Sequence, residues 1–276
     1  GIRDLESQLS WSYPQSDWKS FPLDYEQFKN DTLKSASAYD CPTQAMRIFQ
    51  RMLAMIDPEK EPSAWLFMEQ NRMNIIPSYR RDTDKHLHQL NKMLTQFEGN
   101  ELCGSIYLDI ANAYRYKGKY SQALATVREG IEKYPTYGAI NLLKNIENEI
   151  LLPSFYLNNH ENRNYPGSTI QLRIQHKNLD KFTVWLRKVN CPLDTLQKYQ
   201  NRAEELKRYS KFYSEQKFAL VRDKDYQVRD TLVSMTLPQE SGVYLMEAIG
   251  NQVGSNLTML YVLPYKLVSR NMPDGM

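Results

Sequence analysis

The sequence predicts a multidomain protein of two structural kinds, with a helical N-terminal half followed by an antiparallel β-sandwich. From about residue 24 to 151, apolar residues recur every three or four positions, as amphipathic helices require. From 154 to 268 they mostly alternate with polar residues, as half-buried strands require. A chain of 276 residues also has room for about two domains. We therefore predict a helical domain over 1–152, a sandwich over 153–270, and the truncated start of a next segment at 271–276.

The clearest helical signal is a hairpin over residues 104–137. One helix presents Tyr107, Ile110, Ala111 and Tyr114 on one face, Gly118 lies in the turn, and Ala123, Val127, Ile131 and Pro135 mark the second helix. Small residues at 111 and 123 let two antiparallel helices approach closely. The spacing resembles the tetratricopeptide repeat, except at Gly130, where that family prefers alanine. Because glycine weakens a helix interior by about 1 kcal/mol, Gly130 is expected to be a weak point.

Other parts of the helical half show the same pattern less regularly. Residues 24–38 and 45–58 form one predicted pair of helices, and residues 65–73 and 82–97 form another. Residues 137–151 add a closing helix. The chain is therefore predicted to contain tetratricopeptide-like hairpins, and the alternative is an irregular helical bundle with a single repeat-like hairpin.

The second half is predicted to contain seven short strands. They cover residues 155–157, 169–175, 181–189, 217–221, 232–237, 243–248 and 257–263. Seven short antiparallel strands separated by turns are typical of an immunoglobulin-like sandwich.

A helical pattern interrupts the strands at residues 194–210, and Asp194 is its expected N-cap. We expect this helical insertion to cover an edge of the sheet, with a partner-binding flap as the alternative. Aromatic residues suit recognition as well as packing. Trp185, Tyr199 and Tyr209 are therefore the candidate interaction surface, and Glu247 is expected to be an outward-facing carboxylate on an edge strand.

Three stretches of the second half carry a family resemblance. They are residues 165–169 (YPGST), 237–245 (LPQESGVYL) and 265–270 (YKLVSR). Together they resemble a macroglobulin-like domain of the bacterial alpha-2-macroglobulin superfamily, whose members are large envelope proteins. The resemblance covers roughly residues 153–270 and extends loosely to the helical half.

The resemblance implies that the chain is a non-catalytic scaffold fragment of a larger protein in the periplasm, at the cell surface or secreted. Its partners would be proteins, either proteases or other envelope proteins. In that superfamily a thioester often lies within a Cys-Gly-Glu-Gln sequence, whereas Cys103-Gly104 is followed here by Ser105 and Ile106. No protease-trapping residue can therefore be transferred to this chain. The alternative is a helical-repeat adaptor whose sandwich binds a glycan or a peptide.

No catalytic, cofactor-binding or metal-binding residue is assigned from the sequence, which lacks the common nucleophile, zinc-protease and nucleotide-loop motifs. His86 and His88 are two positions apart, so they diverge around a helix and cannot share a metal ion. The three cysteines lack a CxxC pair. We expect them to be reduced, although one disulfide with one free thiol is the alternative. The sequence thus predicts neither an enzyme nor a cofactor.

Charge and hydropathy also restrict the partners. A formal net charge of +3 is too small to indicate a nucleic-acid-binding surface. No apolar run approaches the roughly 20 residues that span a bilayer, so no membrane-spanning segment is predicted.

Overall fold

The computed structural model describes residues 13–158, 163–199, 201–250, 253–254 and 257–264. The chain divides into two compact units between Ile150 and Leu151. This boundary lies two residues before the one predicted from the sequence. The segments predicted at 265–270 and 271–276 fall outside the described residues.

The first unit contains seven helices within the described residues. They are α1 (Tyr25–Asn30), α2 (Cys41–Met55), α3 (Pro62–Ile75), α4 (Thr83–Gln96), α5 (Cys103–Tyr116), α6 (Tyr120–Lys133) and α7 (Ile140–Leu151). Asp24, Asp40 and Asp82 precede α1, α2 and α4, and each carboxylate accepts a hydrogen bond from a backbone N–H of the first turn. These caps explain where the three helices begin.

The prediction of one helix over residues 24–38 is wrong, because α1 ends at Asn30. The following residues bond to local side chains instead of continuing the helix. Asp40 accepts from the backbone N–H of Ala36 at 2.7 Å, and the Ser35 hydroxyl donates to the Ser37 carbonyl at 2.6 Å. Serine and aspartate compete with helical hydrogen bonds in this way.

Helices α5 and α6 pack against each other as a hairpin. Gly118 has a φ of +69° in the turn, a conformation that glycine adopts without strain. Ala111 and Ala123 are fully buried, as expected where two helices approach closely.

Gly130 has a packing role that the sequence did not reveal. A Cβ atom at this position would lie 2.8 Å from Cβ of Tyr107 on α5 and 3.3 Å from a methyl group of Leu143 on α7. The absence of a side chain therefore lets three helices meet at this point.

The second unit contains two sheets. Their strands are β1 (Ser154–Asn158), β2 (Arg163–Asn164), β3 (Thr169–Lys177), β4 (Lys181–Val189), β5 (Ser210–Ala219), β6 (Arg229–Thr236), β7 (Gly242–Gly250), β8 (Val253–Gly254) and β9 (Thr258–Val262). One sheet has the order β1-β3-β6, and the other has the order β2-β9-β7-β4-β5 with β8 paired to β7. All pairs are antiparallel except β2 with β9. The described residues thus form nine strands, of which β2 and β8 have only two residues each.

Apolar side chains from both sheets form one core. Leu172 and Ile174 of the first sheet and Val184, Leu186 and Leu260 of the second are all buried in it. The alternation along β3 and along β4 as far as Leu186 buries every second residue, which explains the period seen in the sequence.

The insertion between β4 and β5 differs from the single helix predicted over 194–210. It consists of α8 (Leu193–Lys198), α9 (Ala203–Leu206) and a 3₁₀ turn at Lys207–Tyr209. Asp194 lies within the first turn of α8, and Pro192 occupies the cap position without a side-chain bond. Asn201, a residue type that favours turns, lies between the two helices.

The insertion covers a face of the second sheet, so the expectation that it covers an edge is wrong. Leu206 of α9 packs with Leu245 of β7 and Met259 of β9 on the side away from the sandwich core. Leu196 and Ala203 add to this cluster from the insertion. The second unit therefore has a small third layer.

Candidate functional site

Trp185 lies on the outer face of the second sheet. Its neighbours in β4, Val184 and Leu186, point into the core, so the alternation of the strand turns Trp185 outward. Its side chain is 38% exposed, and its cross-strand partners are Glu215 on β5 and Glu247 on β7. An indole ring is thus presented between two carboxylates.

Both of these carboxylates have a lysine partner. Glu247 lies 3.6 Å from the ammonium group of Lys207 in the insertion, and Glu215 lies 3.1 Å from that of Lys217. The expectation that Glu247 lies on an edge strand is wrong, since β7 pairs with both β9 and β4. Lys207 therefore links the insertion to the sheet beside Trp185.

Tyr199 and Tyr209 come together around Arg208 at the insertion. The guanidinium carbon of Arg208 lies 5.4 Å from the ring centre of Tyr199 and 4.9 Å from that of Tyr209. One guanidinium nitrogen also donates to the Tyr199 hydroxyl at 3.0 Å. Both rings are half-buried and pack beside Leu206, so they anchor the insertion as well as contribute to its surface.

Two of the segments that carry the family resemblance are in direct contact. The backbone N–H of Gly167 donates to the Pro238 carbonyl, and that of Leu237 donates to the Ser168 carbonyl, each at 2.9 Å. Gly167 has a φ of +67°, and a Cβ there would overlap the side chain of Gln239. These bonds join residues 165–169 to residues 237–245.

Tyr244 forms a hydrogen bond within the second of these segments, residues 237–245. Its ring is fully buried, and its hydroxyl donates to the carbonyl of Glu240 at 2.8 Å. A buried tyrosine that bonds to the backbone a few residues upstream is a known device of antiparallel sandwiches. Burial raises the pKa of this phenol, with smaller contributions from Tyr213 and Glu240. The Glu240 carboxylate is paired with Lys188.

The helical unit contains a polar pocket that sequence reasoning missed. It is a partly open cavity of about 340 Å³ between α3, α4 and α5. Its lining residues are Asn74, Ser78, Arg81, Thr83, His86, Asp109, Asn112, Ala113 and Tyr116. They come from separate parts of the sequence and match no motif, so only the packing of the helices reveals them.

A hydrogen-bond network crosses this pocket. Gln70 and Asn74 donate to the same Asp109 oxygen at 2.6 and 2.9 Å. Arg81 donates to the amide oxygen of Asn74 at 2.8 Å and lies 3.2 Å from Nε2 of His86. Burial raises the pKa of Asp109, and the two amide donors oppose this effect. A cation and a carboxyl group are thus linked through one amide.

His86 is buried beside Arg81, with 5% of its surface exposed. Because a guanidinium nitrogen can only donate, Nε2 of His86 must accept, and the ring proton is therefore assigned to Nδ1. Burial and the charge of Arg81 lower the pKa of His86 to about 4, so the ring is neutral near pH 7. Among the described residues, Nδ1 is buried without a hydrogen-bond partner. His88, in contrast, is exposed.

Other possible sites in the described part of the chain carry less chemistry. Cys41, Cys103 and Cys191 are free, and burial raises the pKa of the Cys103 thiol. No group of three or more histidine, cysteine, aspartate or glutamate side chains is placed to hold a metal ion in the ranges described. None of the helices described is both long and apolar enough to cross a bilayer.

Comparison with known proteins gives only weak structural likenesses. No family model matches the chain, and no curated protein matches it. Among solved structures, it is similar to native alpha-2-macroglobulin from Escherichia coli spanning domains MG0-NIE-MG1, at 20% identity and a TM-score of 0.28 over 40% of this chain and 38% of that one. A second structure of that protein, spanning NIE-MG1, gives 18% identity and a TM-score of 0.27 over 41% of this chain and 61% of that one.

The sporulation control protein Spo0M from Bacillus subtilis is also similar, at 9% identity and a TM-score of 0.23 over 40% of this chain and 49% of that one. In all three cases the matched region is less than two thirds of the other chain.

Proposed function

We propose that this chain is a non-catalytic scaffold segment of a large bacterial cell-envelope protein resembling alpha-2-macroglobulin, and that it works through contacts with other proteins. Its first unit would be a stack of tetratricopeptide-like hairpins, and its second a macroglobulin-like sandwich of seven main strands. Proteases and other envelope proteins are the proposed partner classes. The proposed location is the periplasm, the cell surface or the exterior.

The observation that carries the proposal is the structural role of the two segments that resemble a macroglobulin-like domain. Residues 165–169 and 237–245 bond to each other through their backbones, and Tyr244 is buried within the second segment. Their side chains and peptide groups therefore hold one end of the sandwich together. This role supports a scaffold function for the unit.

Trp185 is the proposed contact point on this scaffold. A partly exposed indole can bury a large apolar area in a protein interface. The lysine-paired carboxylates of Glu215 and Glu247 on either side provide a polar rim. An apolar centre with a polar rim is typical of a protein-binding surface.

Photo-crosslinking in cells tests this function. A p-benzoylphenylalanine at position 185 should form an adduct with a protein of the envelope fraction. The matched control places the same group at Leu232, which is 66% exposed on the other sheet. Adducts at neither position, or equally at both, would contradict a specific contact at Trp185.

An adaptor that binds a glycan or a peptide is the second candidate, and the exposed ring of Trp185 is the observation that favours it. Aromatic rings are common platforms for such ligands. This alternative predicts that the isolated chain binds members of a glycan or peptide array and that Trp185→Ala abolishes the binding. The scaffold proposal predicts no glycan ligand on the array that depends on Trp185.

A further inference from the structure

The second sheet ends in a long strand whose outer edge is open. Among the described strands, β5 (Ser210–Ala219) pairs with β4 alone. Its side chains are accessible, since those of Glu215 and Lys217 are 44% and 74% exposed. The backbone groups that an edge strand turns away from its sheet can bond to a further strand. A strand of ten residues without proline therefore presents a row of such groups to a partner.

A β-bulge limits the part of this edge that is regular. The register of β4 with β5 shifts between Leu186 and Arg187, and Tyr213 on β5 is the extra residue. From Ser214 to Ala219 the pairing with β4 is continuous. A partner strand can therefore pair with this regular stretch but not across the bulge.

The charges on the regular stretch are complementary to themselves. When two copies of β5 pair antiparallel with Gln216 at the centre, Glu215 of each copy lies opposite Lys217 of the other. These two residues are two positions apart, so they share a face of the strand, as residues directly opposite each other must. Within one copy they already form an ion pair at 3.1 Å. Pairing of two copies therefore joins two such ion pairs into a group of four alternating charges.

Other symmetric pairings of the edge strands lack this match. Pairing about Tyr213 would also set opposite charges, Lys211 and Glu215, against each other, but its centre is the bulge. On β6, an edge strand of the first sheet, Arg229 and Asp230 are adjacent and point to opposite faces, so they cannot lie opposite each other in a symmetric pair. Strand β1 carries no charged residue.

We propose that two copies of this chain associate by antiparallel pairing of β5 with β5, centred on Gln216, so that their second sheets form one continuous sheet. The contact is symmetric, with the same surface on both copies. Phe218, on the core side of β5, is only half-buried and stacks on Phe182 with 4.9 Å between ring centres. In the pair it lies opposite Ser214 of the second copy, whose strand covers this side of the core. This inference goes beyond the scaffold function proposed above and does not depend on it.

The mass of the unaltered chain in solution provides the first test. Sedimentation velocity at increasing concentrations should show a species of twice the 32.5 kDa of the chain, with a dissociation constant in the micromolar range. A single species of 32.5 kDa at every concentration up to about 1 mM overturns the proposal. Such a result would leave the crosslinking test of Trp185 unaffected.

Charge reversal tests the register of the contact. Glu215→Lys sets two lysine pairs against each other, and Lys217→Glu sets two glutamate pairs against each other. Each variant should therefore raise the dissociation constant at least about tenfold. The double variant Glu215→Lys/Lys217→Glu restores both pairs of opposite charge, so its dissociation constant should return to within about threefold of that of the unaltered chain.

The matched control is Glu204→Lys, the same change of charge at an exposed position in the insertion. It should leave the dissociation constant unchanged, and circular dichroism checks that every variant folds. A double variant that associates no better than the single variants overturns the proposed register. A control that weakens association as much as Glu215→Lys does overturns the proposed contact.

Discussion

At the scale of single residues, His86 illustrates how the fold sets a protonation state. Its ring is buried between helices, and its Nε2 atom faces the guanidinium group of Arg81. Both effects disfavour the imidazolium form, which is why the pKa falls from 6.5 to about 4. In the unfolded chain neither effect operates, so the unfolded state binds a proton at a higher pH than the folded state does.

This difference predicts a pH dependence of stability. Between pH 6.5 and about 4 the unfolded state holds more protons at position 86, so the contribution of His86 to the free energy of unfolding should decrease as the pH falls through this window. The loss should reach up to about 3 kcal/mol. Urea unfolding at a series of pH values measures it, and His86→Gln should remove most of the decrease.

The control for this prediction is His88→Gln, at an exposed position two residues further along α4. Because it retains His86, it should show the same decrease as the unaltered protein. Burial acts to raise the pKa of Asp40, but its hydrogen bonds lower the pKa to about 2, so its contribution to stability is lost below about pH 5, equally in the unaltered chain and in both variants. Identical pH profiles for the unaltered chain and His86→Gln would contradict the assignment of a buried neutral histidine.

At the scale of helices and strands, Gly130 shows packing overriding local preference. Alanine would favour the helix by about 1 kcal/mol in isolation. Its Cβ, however, would lie 2.8 Å from Cβ of Tyr107, near the backbone of α5, where little movement is available. We predict that Gly130→Ala destabilises the helical unit by about 1–3 kcal/mol, because overpacking outweighs propensity.

The matched control for this substitution is Gly138→Ala. A Cβ at Gly138 meets no atom within 4 Å, so this change should leave the free energy of unfolding equal or slightly higher. Chemical denaturation of both variants measures the difference. An increase in stability for Gly130→Ala would show that the three helices do not pack as closely as described.

The insertion gives a second prediction at this scale. Leu206 is fully buried against Leu245 and Met259, so Leu206→Ala should destabilise the strand unit by about 2–5 kcal/mol. Leu193, in the same insertion, is 65% exposed, and Leu193→Ala should cost less than about 0.5 kcal/mol. Equal effects of the two variants in urea unfolding would mean that the insertion does not rest on the sheet.

The sequence could predict the elements whose apolar period is long and regular. Strand β3 alternates strictly, β4 alternates as far as Leu186, and the hairpin α5–α6 combines a helical period with a glycine turn. The end of α1 and the division of the insertion were not predicted, and each has a physical reason. Side-chain bonds to Asp40 replace helical bonds after α1, and a turn at Asn201 divides the insertion.

The candidate sites depend on contacts between distant residues, which the pattern alone does not contain. The alternation of β4 separates Trp185 from Val184 and Leu186, which are buried in the core. The pocket, however, joins Asn74 to Asp109 across 35 positions, and no local signal relates them. The tautomer of His86 likewise follows only from the position of Arg81 in space.

At the scale of the whole molecule, the two units carry different features. The helical unit contains the polar pocket, and the strand unit presents Trp185 beside a covered sheet face. Each unit has its own set of internal contacts. We therefore propose that the chain is a scaffold segment whose protein contact point, Trp185, lies on the strand unit.

The most direct test of the scaffold proposal is an immunoblot of fractionated cells of the source organism, with antibodies raised against this chain. We predict a band several times heavier than the 32.5 kDa of the present chain, in the periplasmic, cell-surface or secreted fraction. A band near 32.5 kDa in the cytosolic fraction would contradict both the large parent protein and its envelope location.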